Sequence, residues 1–192
     1  QKRPGAWMGG LDSCWKAQDQ AHLPLTYLIT NFKKGTDRQP CLLTLRQVTT
    51  LFHEFGHTVQ HLLSKSETKT LSGLINIEWD GVEIASQFME NWVYYKPLLK
   101  RLACHVETGE TLSDKMVESV IASHQFMNGS FALMQLAMGE YDLRLHSASY
   151  QQKDKNQILF DLLEDAGFNP HPSKKNFPCR FGHLFSGGYA AG

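Results

Sequence analysis

The chain has 192 residues, 42% apolar and 20% charged, which suffices for a buried core and excludes a disordered or low-complexity protein. Its 19 basic residues balance 19 acidic ones and no basic block interleaves with aromatics, which argues against a nucleic-acid partner. No apolar run approaches the length of a bilayer span, which argues against a membrane one. Cys14, Cys41, Cys104 and Cys179 lie far apart with no C-x-x-C pair. Free thiols in a reducing compartment are therefore expected, the cytoplasm first, with an organellar location left open.

Residues 1–24 are rich in Gly, Trp and Pro and read as irregular. Residues 25–32, rich in β-formers and followed by a Lys-Lys-Gly-Thr-Asp turn, read as a strand. Thr44-Leu45-Arg46-Gln47 is a capping box that opens a helix. Val48, Leu51, Phe52, Phe55, Val59, Leu62 and Leu63 follow at helical spacing and predict its buried stripe. Residues 71–79 read as a loop with a short strand. Asp80-Gly81-Val82-Glu83 reads as a second capping sequence, opening a helix through Ile84, Phe88 and Trp92 that Pro97 ends or kinks. The aromatic group Trp79, Phe88, Trp92, Tyr94 and Tyr95 is expected in the core. A helical stretch begins at Ser113-Asp114 and runs to about His146 with a break near Asn128-Gly129; another covers residues 156–164 and stops at Gly167. Pro170, Pro172 and Pro178 mark a loop before a Gly-rich end. The reading is mainly α with a small β-sheet, one domain over residues 1–192.

The chemistry lies in His53-Glu54-Phe55-Gly56-His57, an H-E-x-x-H pattern placed mid-helix. Residues four apart share a helix face, so both imidazoles can reach one ion, which suits zinc. Glu54, one step round, can take a proton from a water that the ion activates. A catalytic site needs a third protein ligand. Gln60 and Leu63 occupy the positions where one class of zinc peptidase has Gly and His, so that class is excluded. His61 lies too far along the axis and reads as a residue behind the ligands or at the surface. That leaves a carboxylate from a following segment. Glu67 sits in a polar stretch and reads as solvated; by spacing Glu78 and Glu83 are about equally good, and Glu83 alone could as well be a helix cap.

Three segments in order carry a resemblance. Residues 53–57, the stretch Asp80-Gly81-Val82-Glu83-Ile84-Ala85-Ser86-Gln87-Phe88-Met89-Glu90-Asn91-Trp92, and the run from Arg180 to Gly192 are similar to the thimet oligopeptidase and oligopeptidase A family of zinc metallopeptidases. Phe185-Ser186 before the paired glycines looks closer to the oligopeptidase A branch. The resemblance implies a zincin-like helical metallopeptidase core with one Zn2+ per chain, held by His53, His57 and Glu83. It implies Glu54 as general base and proton shuttle. Glu90, one heptad after Glu83 and so on a similar helix face, either orients a ligating imidazole or has a plain surface or packing role. In the Gly-rich segment it implies His183 and Tyr189 as hydrogen-bond donors to the reacting carbonyl, with Gly187 and Gly188 letting backbone approach the substrate. The substrate it implies is a short oligopeptide.

The family also carries a large N-terminal region and further tyrosines just after the Gly-Tyr-Ala-Ala-Gly run. This chain begins on Gln1 and stops at Gly192. A piece of a longer protein, lacking N- and C-terminal regions, is therefore expected. Two functions compete: a metallo-oligopeptidase core, and a zinc-binding module that is catalytically incompetent.

Overall fold

The computed structural model describes residues 5–17, 20–74, 76–170, 176–180 and 182–186. Their architecture is mainly helical with two small antiparallel ribbons, as the sequence predicts, although the single sheet expected is divided in two. The contacts fall into two compact units, residues 1–123 and 124–192.

Four short strands come first: β1 (Trp7–Asp12), β2 (Trp15–Ala17), β3 (Gln20–His22) and β4 (Leu25–Ile29). Three of them fall where irregular structure is expected. Gly9 and Gly10 are weak strand formers, yet β1 pairs with β4 from Trp7 opposite Ile29 to Asp12 opposite Leu25. The reason lies across the ribbon. Tyr27, opposite Gly9, lays its ring so close that a Cβ at position 9 would collide with it. An aromatic neighbour that covers a strand glycine replaces the packing the glycine lacks. The register shifts between Gly10 and Asp12, so β1 bends there. The second ribbon pairs β2 with β3, and Trp15 stacks on its partner His22 with ring centroids 3.6 Å apart.

Helix α1 (Leu45–Leu62) opens on the expected capping box: Thr44 accepts from the Gln47 backbone N–H and the Gln47 side chain accepts from the Thr44 N–H. Within residues 1–192 its apolar stripe is not its most buried face: Val48, Leu51, Phe52 and Val59 are half-buried. Glu54, Gly56, Thr58 and His61 are buried, while Phe55, Leu62 and Leu63 are exposed. The face that packs on β1 and on the next helix is the one carrying small and polar side chains. His61, expected behind the ligands or at the surface, is 1% exposed, and its Nε2 lies 2.7 Å from the Asp12 carbonyl at the bend of β1. Gly10 and Gly73 leave the space its ring fills.

The described part of residues 71–79 contains no strand; single 3-10 turns cover Lys69–Leu71 and Trp79–Gly81. Helix α2 (Ile84–Glu90) runs into a 3-10 turn, Asn91–Tyr94. Pro97 neither ends nor kinks it. It lies in the first turn of a new helix, α3 (Lys96–Leu102), where its missing N–H costs nothing. Within residues 1–192 the aromatic group does not lie in the core: Trp79, Phe88, Trp92 and Tyr95 are exposed and Tyr94 is half-buried. Ser86 is the buried residue of α2, so the helix turns this small side chain inward and Phe88 outward.

Helices α4 (Asp114–Gln125) and α5 (Asn128–His146) match the expected stretch, and Met127, at φ 60°, makes the break between them. Helix α6 (Lys155–Asp165) is capped by Asp154 and followed by Gly167 at φ 81°. Two single turns, α7 (Phe177–Arg180) and α8 (His183–Ser186), replace loop in the described part of the end segment. Tyr141, Ile158, Leu159, Leu162, Leu163 and Leu184 form the core of the second unit. Among the described residues no helix is long and apolar enough to cross a membrane.

Candidate metal centre

His53 and His57 stand one turn apart on α1, rings 87° to each other with centroids 5.1 Å apart. Glu83 reaches them from the position just before α2. It has N-cap placement but its side chain makes no capping bond. Instead its Oε2 lies 3.1 Å from Nε2 of His53 and 3.2 Å from Nε2 of His57. The three ligand atoms lie within 4.8 Å of one another, the only such group of three found among the described residues. Glu78, which spacing could not separate from Glu83, is exposed before the 3-10 turn and outside this group.

The chemistry of this donor set calls for a cation. Glu90 Oε1 lies 2.7 Å from Nδ1 of His53, so the ring proton belongs there and the Nε2 lone pair faces Glu83. A lone pair facing a carboxylate is repulsive unless a proton or a metal ion stands between them. For His57 burial pushes the imidazole below its ordinary value, against a partly compensating pull from Glu83, so a proton is disfavoured. Neutral imidazole is the ligating form. The donor spacing also suits the ion: zinc bonds of about 2.0–2.1 Å at tetrahedral angles separate ligand atoms by about 3.3 Å. His53, His57 and Glu83 therefore fit zinc.

Glu54 lies beside this group, 8% exposed. Burial pushes its carboxyl above the ordinary value and Glu83 adds to that, while His53 and the Met8 backbone N–H pull it back. A carboxylate raised toward neutrality is suited to accept and return a proton. The Met8 contact was not foreseeable, because it depends on β1, which the sequence conceals. Ser86, whose hydroxyl lies 2.7 Å from Glu83 Oε2, was also missed, although its position three residues after Glu83 is a visible signal.

The end segment adds less. His183 opens α8 and is described as backbone. Gly187, Gly188 and Tyr189 lie outside the described residues.

A sequence model of peptidase family M3 matches residues 1–192. The chain belongs to that family. Oligopeptidase A of Escherichia coli (strain K12) is 40% identical over 198 residues, covering 100% of this chain and 28% of that protein. Organellar oligopeptidase A, chloroplastic/mitochondrial, of Arabidopsis thaliana is 38% identical, covering 100% and 25%. Saccharolysin of Saccharomyces cerevisiae (strain ATCC 204508 / S288c) is 31% identical, covering 95% and 26%. The chain thus spans about a quarter of the length of these M3 relatives.

Proposed function

We propose that residues 1–192 form the catalytic domain of a zinc-dependent endopeptidase that hydrolyses short oligopeptides, within a longer protein of the relatives' size. The observation that carries this reading is the convergence of His53, His57 and Glu83 beside the buried carboxylate of Glu54. Zinc held by those three residues supplies Lewis acidity, which acidifies a water and polarises a peptide carbonyl. Glu54 takes the proton of the attacking water at its carboxylate and later delivers it to the departing amine. The Met8 N–H steadies that carboxylate from β1. Glu90 holds the His53 ring with Nε2 presented. His183 and Tyr189 donate hydrogen bonds to the oxygen that gains charge, and Gly187 and Gly188 let the segment's backbone approach the peptide.

The competing module that only holds zinc is the weaker reading. Such a module has no use for a carboxylate buried beside the ligands at a cost in desolvation. For location we propose the cytoplasm, on the four free thiols. Relatives with both cytosolic and organellar names keep an organellar alternative.

The test is cleavage of a quenched fluorescent oligopeptide by the full-length protein, before and after chelation, alongside Glu54→Gln. We expect chelator-sensitive activity that Glu54→Gln abolishes while zinc stays bound. Cleavage unchanged in that variant sinks the general-base role, and indifference to the chelator sinks the metal.

A further inference from the structure

Ser86 has no accessible surface at all, in the first turn of a helix whose neighbouring residues are partly exposed. Its Oγ lies 2.7 Å from Oε2 of Glu83 and 2.9 Å from the Glu83 carbonyl oxygen. A hydroxyl has one proton to give. The carboxylate oxygen is both nearer and charged, and charge-assisted hydrogen bonds are the stronger kind, so the proton goes to Oε2. That same oxygen faces the two imidazole nitrogens.

The local backbone shows what this arrangement replaces. Glu83 stands at the N-cap of α2 and Ser86 at its third helical position. A capping box at these places would have the first side chain accept from the backbone N–H of the second. No such bond is made. The glutamate is turned away from the helix end and toward α1, and the serine hydroxyl follows it.

Gly56 makes the position possible. A Cβ on Gly56 would stand 2.6 Å from the Ala85 carbonyl oxygen, 2.6 Å from the Ser86 Cα and 2.9 Å from the Ser86 N. Those atoms are backbone and cannot swing aside. Any side chain at position 56 therefore pushes the start of α2 away from the helix that carries both histidines. The glycine inside the H-E-x-x-H pattern sets the distance at which the carboxylate is delivered.

A glutamate has three rotatable side-chain bonds, and a ligand that wanders among rotamers spends only part of its time in the binding one. A donor fixed by burial selects one rotamer before the metal arrives, occupies one lone-pair direction of Oε2 and leaves another for the ion. We propose that Ser86 is a positioning residue for the metal centre: its hydroxyl presets the Glu83 carboxylate, and Gly56 gives it the clearance to do so. The proposal rests on the zinc reading of His53, His57 and Glu83.

The experiment is zinc binding by the metal-free full-length protein, measured by competition with a chelating indicator, with apo melting temperatures recorded alongside. Ser86→Ala should raise the zinc dissociation constant about tenfold to a hundredfold, the usual cost of losing a residue that orients a ligand. A double-mutant cycle supplies the readout that packing alone would not move. In a Glu83→Ala background, Ser86→Ala should change zinc affinity no further, because the group through which it acts is gone. An unchanged dissociation constant in Ser86→Ala overturns the proposal. So does an equal loss in the Glu83→Ala background, whatever happens to the apo melting temperature. A wild-type protein that binds no zinc, or whose binding survives His57→Ala, overturns the metal reading instead, which keeps the two failures apart.

Discussion

The two units of the chain are held together by different chemistry. Among the described residues of 1–123 the buried polar side chains are Ser13, Glu54, Thr58, His61, Ser72 and Ser86, against Val93, Leu99 and Val117 as the buried apolar ones. Among the described residues of 124–192 the proportion reverses: Ala137, Tyr141, Ile158, Leu159, Leu162, Leu163 and Leu184 are buried, with Asp142 as the polar exception. A buried polar group contributes little net stability even when satisfied and costs stability when it is not. In the first unit the buried polar residues thus include the proposed base Glu54 and Ser86 beside the candidate ligand Glu83. The second is a conventional hydrophobic core. A metal ion is the natural complement of the first, because binding energy that only the folded form receives is folding energy.

The largest effect expected tests the second unit. Leu159 is 1% exposed at the centre of the α5–α6 core. Leu159→Ala should cost about 2–5 kcal/mol of stability in urea unfolding followed by circular dichroism. A loss below 1 kcal/mol would show that this core collapses around the gap and is less tightly packed than its burial indicates.

Next comes the metal. All four tryptophans of residues 1–192, Trp7, Trp15, Trp79 and Trp92, lie in the first unit, so the indole fluorescence of a polypeptide of these 192 residues reports on that unit alone. Zinc at a hundred times its dissociation constant should stabilise that transition by about 2.7 kcal/mol. His57→Ala should remove the gain. An unshifted tryptophan transition would break the contrast between the units at its main point.

The third effect concerns pH, and its sign follows from Glu54. Burial holds this carboxyl above its ordinary 4.5, so the folded protein keeps the proton to higher pH than the unfolded chain does. The stabilisation from protonated Glu54 is complete below the ordinary carboxylate range and is lost as pH rises through the raised folded value. At neutral pH the ionised group is a burden on the metal-free protein. Glu54→Gln should therefore make the apo first unit more stable than wild type at pH 7, with the difference fading at pH 4. His57, held low by burial, disfavours the fold as pH falls below 6.5, but it does so in both proteins and cancels. A variant less stable than wild type at pH 7 would mean that the Met8 N–H and His53 outweigh burial.

The same contrast explains what the sequence disclosed. Helix α1 was legible to its cap, because Thr44 and Gln47 sit at the spacing a capping box demands and apolar residues recur with helical period. Its buried face was not. Periodicity assigns the apolar side to the core, whereas α1 turns Glu54, Gly56, Thr58 and His61 inward because β1 and α2 pack there. Strand β4 was legible in its β-formers, but β1 was hidden for a related reason: Gly9 and Gly10 read as breakers until Tyr27 and His61 are seen to fill the space they leave. Pro97 was misread because proline ends one helix and begins another with equal ease, and only the intervening 3-10 turn decides. In the second unit the breaks at Met127 and Gly167 fall close to the expected places.

The smallest effect probes the second unit for the kind of exception that fills the first. Tyr141 is fully buried, and its hydroxyl has no hydrogen-bond partner among the described residues. Burial, with lesser contributions from Cys179 and Asp154, pushes the phenol up to about 12. The neutral phenol is thus the folded form across the ordinary range, and stability falls only as pH climbs from 10 toward that value. If the hydroxyl is as unpaired as its surroundings indicate, Tyr141→Phe removes a desolvation cost and leaves the ring packing intact. It should be neutral or stabilising by up to about 1 kcal/mol at pH 7. In an absorbance titration it should also delete a tyrosine ionisation at about 12. A destabilised variant would place a polar partner inside the α5–α6 core, and the second unit would then rely on a buried hydrogen bond as the first does.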